Sequence, residues 1–489
     1  MKLTDMTFHR RFSLNLYKNK KLKLGEMSFT KDFAHTTRGD LYPVLAHSGD
    51  YEETIAGNRY AFTSDDGKIT RLLGQFFPYA TYEMTLGQLN GSAGFAFRLP
   101  GERNVSLILT TENGAPEAVF SCGERTERAA VDTDFRPGCR LVVTVRGHAL
   151  DLYYDNTDCL AYKCSFGAEE IADSVYRKVF MASCAAVEIT GKAVLSDVQF
   201  YLDCGISQAD IRPIRYENGD VMIEAGKIYL TISIRMEAEC YQGVFSWVPG
   251  TAELELTGAL FYDAGDDRWG NDVAASILYH RGEGLWYIWV CSFCRGHILG
   301  YAKAAGDVRF GVNALDITLM DPLPEGADET LFLGKKGDED PDFYYDAEEK
   351  KWHMSVCRVS DRDRAYRYFF FESDEPFSGY RCIGHTKSGA ETGGSFVKAD
   401  GERYFVCGND FSKRADYRIY RPDDFDTFAP IRCDYDDGGF RGWGTIIPCP
   451  VGTRMKYYWL TFDRHNGSGY NWSYGNLYCC EADSYELLR

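Results

Sequence analysis

Apolar and polar residues alternate in short runs along most of this chain. Almost nowhere do they repeat with the period of a helix. Clean alternation marks residues 79–86, 94–98 and 105–109, and further strand-like runs cover 141–145 and 150–154. A two-residue period turns one face of a strand toward a core and the other toward water. Antiparallel strands of this kind must stack their apolar faces. Residues 1–205 are therefore predicted to form a two-sheet β-sandwich. One helical pattern interrupts them, over 168–179, where Ile171, Val175 and Val179 share a face.

From about Ile206 a different rhythm begins. Each unit has a Trp or carboxylate, an apolar strand, a Gly or acidic turn, then an aromatic strand. The units centre on Asp220, Trp269 with Asp272, Asp340, Glu391 and Trp443. They return about every fifty residues, with a longer interval only between Asp272 and Asp340. Short strands at that period predict a five-bladed β-propeller over residues 206–489. The expected fold class is all-β, a sandwich followed by a propeller. A carboxylate at the same place in several blades would face one central pocket.

Charge narrows the partners. The chain has 489 residues, 72 acidic against 54 basic, for a net charge of −18. Nucleic acid and anionic membranes both call for a basic footprint, so neither is expected as a partner. A neutral ligand suits this balance. The longest apolar run, 285–294, is too short to cross a bilayer. The N-terminus lacks the apolar core and small-residue cleavage site of a signal peptide, so a cytoplasmic protein is expected. The 16 cysteines lie largely in strand-like runs and are read as small buried apolar residues. Cys291-Ser292-Phe293-Cys294 has no second pair at zinc spacing, so no metal or other cofactor is expected.

With its inward carboxylates, the stretch 206–489 resembles the glycosidase clan that includes glycoside hydrolase families 43 and 32. The N-terminal strand order resembles concanavalin-like jelly-roll domains. In the glycosidase clan an Asp opens blade one, a second Asp stands in an Asp-Pro pair of blade three, and a Glu opens blade four. The matching residues are Asp220, Asp340 of Asp340-Pro341, and Glu391. Asp220 lacks the usual following Pro, so Glu217 and Asp272 stay open as substitutes. Thr392-Gly393-Gly394 stands where the clan has a Pro after the Glu.

The resemblance implies hydrolysis of short oligosaccharides, with fructosides or arabinosides favoured. Cleaving a glycosidic bond needs a carboxylic acid to protonate the leaving oxygen and a carboxylate on the opposite face. Glu391 is the expected general acid, Asp340 its tuner, and Asp220 the base or nucleophile. Trp269 and Trp443 are candidates to stack on sugar rings. Asp272, Arg464 and His465 are candidates to bind hydroxyls. Two other readings stay open: a non-catalytic carbohydrate-binding protein, and phosphorolysis with Arg464 and Arg441 at an anion site. The sandwich is open to use as a sugar-binding module or as a homo-oligomer contact.

Overall fold

The computed structural model describes every residue except 1, 28–42, 57, 78, 147–148, 156–159, 170, 172–181, 237–238, 267–268, 325–336, 360–364, 410–416, 422–423, 435–439, 465–474, 484 and 488–489. The described part is almost entirely strand. Most of the helical pattern over 168–179 lies outside the described residues. The described cysteines are thiols, not disulfides. Contacts divide the chain into two units. One is Leu22–Asp203 with Asp267–Trp269; the other is Met1–Lys21, Cys204–Asp266 and Gly270–Arg489.

The first unit is one antiparallel system built on three long strands, Arg59–Gln75, Thr81–Leu99 and Cys184–Asp203. The beginning of Thr81–Leu99 pairs with Cys139–Arg146, and its end pairs with Arg103–Thr110. Gly91 and Gly191 face each other between these halves, both at positive φ (138° and 66°). A Cβ on Gly91 would run into the carbonyl oxygen of Thr190, so only glycine fits there. The two halves face each other. Phe120, on a strand of the second half, stacks on Phe166, on a strand of the first, at 5.5 Å. This is the sandwich that the alternating pattern predicted.

The second unit holds five blades. Their inner strands are Ser207–Pro213, Asp272–His280, Asp338–Asp346, Glu391–Ala399 and Phe440–Val451. Blades are glued by apolar and aromatic residues. Trp289 of blade two stacks on Phe343 of blade three at 3.9 Å. Blade five is closed by the other end of the chain: Thr7–Asn15 pairs antiparallel with Asn476–Ala482. Residues 1–21 therefore belong to the propeller, whereas sequence rhythm grouped them with the sandwich. Pairing between chain ends leaves no local periodic signal.

All five inner strands carry the same irregularity. Each ladder skips two residues: after Ala209, Val273, Glu339, Thr392 and Gly442. The first skipped residue is always at positive φ: Asp210, Ala274, Asp340, Gly393 and Trp443. A β-bulge re-aims a side chain and interrupts the ladder. Freed backbone groups find partners on the preceding blade. Ala274 N donates to Ser233 Oγ (2.9 Å) and Ala275 N to Gln242 Oε1 (2.9 Å). Gly394 N donates to Tyr368 Oη, and Tyr417 Oη donates to the Gly444 carbonyl.

Candidate functional site

The bulges bring five structurally equivalent positions together: two carboxylates, one tryptophan and two small residues. Asp210 of blade one and Asp340 of blade three are both buried. Asp340 Oδ2 accepts from Gly393 N (3.1 Å) and Thr392 Oγ1 (3.4 Å) of blade four. Asp210 is 5% exposed, and its Oδ1 has no partner among the described residues. Burial is the main cause that pushes the Asp210 carboxyl up, to about 8, and the charge of Asp340 adds to it. Arg212 and a hydrogen bond from Ser233 act in the opposite direction without cancelling the rise. Burial and the neighbouring charge thus favour the protonated form of Asp210.

Two residues further along, the axis is locked. Arg212 donates to the Ala274 carbonyl of blade two and the Gly394 carbonyl of blade four, both at 3.2 Å. Asp342 accepts from Arg215, from Ser276 Oγ (2.9 Å) and from Phe396 N (2.7 Å). Ser395 Oγ and Thr445 Oγ1 are 2.8 Å apart. Every group at this level is tied to a neighbouring blade.

Two residues before each bulge the pattern changes again. Here blades two, three and four each place a carboxylate, and each is gripped by an arginine of the same blade. Asp272 meets Arg295 (3.0 Å), Asp338 meets Arg358 (2.5 Å) and Glu391 meets Arg418 (3.0 Å). Glu391 is 0% exposed and also accepts from Thr386 and Tyr420 hydroxyls. Burial pushes the Glu391 carboxyl up; the two hydroxyls and Arg418 hold it back. By position Glu391 is the third copy of a clamp.

Beside this level, His297 Nδ1 lies 2.6 Å from Glu339 Oε1. Glu339 immediately precedes Asp340. The hydrogen bond that the His297 ring donates to Glu339 is the main cause that raises its imidazole, and Asp340 contributes from further away.

The residues singled out in the sequence are distributed unevenly. Asp340 and Trp443 occupy bulge positions, and Glu391 lies two residues from one. Asp220 is elsewhere. It sits on a turn beyond the inner strand, 48% exposed, with Lys398 Nζ at 3.1 Å and Asn218 Nδ2 at 2.7 Å. That turn packs at the far end of blade three, where Tyr345 N donates to the Glu217 carbonyl (2.7 Å). Glu217 is itself paired with Arg281 at 2.8 Å. Asp272 is absorbed by Arg295. Trp269 is buried, and its contacts group it with the sandwich unit. The side chains of Arg441 and Arg464, and the whole of His465, lie outside the described residues. Asp210 was missed. The available signal was a carboxylate followed two residues on by a charge: Asp210-Ile211-Arg212 beside Asp340-Pro341-Asp342.

The class defined by these observations is a five-bladed β-propeller with paired axial carboxylates. No family model matches the chain, and no curated protein matches it. Solved structures do resemble it. The catalytic domain of the Coprinopsis cinerea GH62 alpha-L-arabinofuranosidase is 12% identical, over 58% of this chain and 92% of that one, with a TM-score of 0.39. A levansucrase complexed with sucrose is 10% identical, over 58% and 88%, with a TM-score of 0.41. A GH43 beta 1,3 galactosidase is 13% identical, over 47% and 79%, with a TM-score of 0.33.

Proposed function

We propose that the chain is a carbohydrate-active enzyme that cleaves glycosidic bonds at the ring of Asp210, Asp340 and Trp443. The observation that carries this reading is the content of the five bulge positions. Two carboxylates and an aromatic among them are what a sugar ring needs: polar partners and a flat apolar surface. Asp210, in its protonated form, supplies the proton to the leaving oxygen. The Asp340 carboxylate steadies the positive charge that develops on the sugar. Once Asp210 has given up its proton, it can take one from the incoming water or acceptor hydroxyl. Asp210 thus replaces Asp220 as the blade-one residue, and the acid role moves to it from Glu391. The sequence resemblance makes fructosides and arabinosides the first substrates to try.

Hydrolysis of a panel of aryl furanosides and pyranosides tests this. Asp210→Asn and Asp340→Asn should each lose about 10²–10⁴-fold in kcat/KM. The sealed state of Glu391 favours a second reading, a non-catalytic sugar-binding propeller. Sugar binding without turnover of any substrate would establish that reading and sink the first.

A further inference from the structure

Away from the bulge ring, a cleft of about 420 Å³ opens among residues of blades three and four. Tyr344, His353, Phe396, Phe425, Asp346 and Arg403 are among its walls. The Arg403 guanidinium lies 3.5 Å from the centre of the Tyr344 ring. The same ring stacks on His353 at 4.7 Å and 11°. Tyr344 is 6% exposed, and its hydroxyl has no partner among the described residues.

Arg403 stands apart from Arg295 and Arg309. Its one hydrogen bond to a described residue runs to the Asn218 carbonyl, at 3.3 Å. No described carboxylate pairs with it. Burial, helped by nearby Arg215, lowers its proton affinity, and Asp346 and Asp220 attract it only from further off. Arg295 and Arg309 are also partly buried, yet hydrogen-bonded carboxylates more than offset that burial and raise them. A partly desolvated guanidinium with unused donors favours a planar anion able to accept two hydrogen bonds.

The rest of the cleft specifies what carries that anion. Phe396 and Phe425 offer apolar faces. Asp346 and Glu349 are acceptors at the rim. Glu349 is held by His353 at 3.2 Å, and Asp346 Oδ1 accepts Glu348 N at 2.9 Å, so each keeps acceptor capacity. Those carboxylates repel a dianion such as phosphate more than a single negative charge. A neutral sugar would leave the guanidinium donors unmet.

We propose that this cleft binds a hexuronic acid residue: its carboxylate on Arg403, its ring against the aromatic wall, its hydroxyls on Asp346, Glu349 and Tyr344. The site is separate from the bulge ring and does not depend on what that ring does.

Calorimetric titration with D-glucuronate, D-galacturonate, D-glucose, acetate and inorganic phosphate tests the proposal. A uronate should bind at least tenfold more tightly than glucose, acetate or phosphate. Arg403→Gln should remove that advantage, Tyr344→Phe should weaken it several-fold, and Asp340→Asn should leave it intact. In the unaltered protein, the Arg403 Nε–H resonance should shift on titration with the uronate and not with glucose. That readout holds even if Arg403→Gln fails to fold. Equal binding of uronate and glucose, equal binding of acetate or phosphate, or loss of the advantage in Asp340→Asn would each overturn the assignment.

Discussion

Asp210 and Asp340 occupy the same bulged position of their inner strands, two blades apart, and the charge of Asp340 helps hold a proton on Asp210. Ala274 fills the equivalent position of the intervening blade with only a methyl group.

The pair has a pH signature. Asp210 should stay protonated up to about pH 8. Replacing Asp340 with Asn removes a like charge and leaves burial as the main cause of the rise. The alkaline limb of any residual activity should then move to lower pH, and so should the Asp210 carboxyl carbon titration seen by NMR. An unmoved titration would show that the two carboxylates are not coupled.

The same residue sets a stability trend with a definite sign. The Asp210 pKa is higher folded than unfolded, so the folded chain binds the extra proton. Both states are protonated below the ordinary value of 3.8, and the native state bears no penalty there. As pH rises from 3.8 toward about 8, the unfolded chain loses its proton first, and native stability falls. Asp210→Asn removes this loss. Its Tm should exceed that of the unaltered protein at pH 8 by more than at pH 4. The opposite order would mean that Asp210 is ionised in the native state.

Glu391 should behave as a clamp. Removing one partner of a buried ion pair costs about 3–5 kcal/mol, because the other charge is stranded. Arg418→Met should therefore destabilise strongly in urea titrations. Combining it with Glu391→Leu should recover much of the loss. Glu391→Gln should lower stability while leaving kcat within about tenfold, unlike the substitutions at Asp210 and Asp340. A large drop in kcat at unchanged stability would return Glu391 to the role that the sequence resemblance gave it.

The repeat was legible because aromatic strands and acidic turns recur at a steady interval, and Asp340 was legible because Pro341 and the strand after it stand out. Asp210 was not. Blade one carries an additional strand, Ile223–Glu224, between its inner strand and the next, so the motif that looked like its opening begins beyond the inner strand. Counting back about fifty residues from Asp272 therefore lands on Asp220, a turn residue. Bulges are invisible to a two-residue period, since they appear only when two strands are laid side by side. The clamp role of Glu391 was hidden for the same reason: its likeness to Asp272 and Asp338 is one of register, and the arginines that grip the three carboxylates come from later in each blade.

Blade five depends on the chain's own N-terminal segment. Phe8 lies on Thr7–Asn15, is fully buried and meets the Trp459 ring edge-on at 6.3 Å. Its strand pairs with Asn476–Ala482 on one side and, in parallel, with Arg432–Cys433 on the other. Phe8→Ala removes a large aromatic from a closed core and should cost about 3–5 kcal/mol. Deleting residues 2–16 goes further: it exposes a whole ladder edge of Asn476–Ala482 to solvent and to other chains. That variant should bind a hydrophobic dye and aggregate on concentration. A synthetic peptide of residues 2–16 should restore its solubility by pairing at the same edge. Deletion without change in Tm or solubility would show that blade five is stable with its remaining strands.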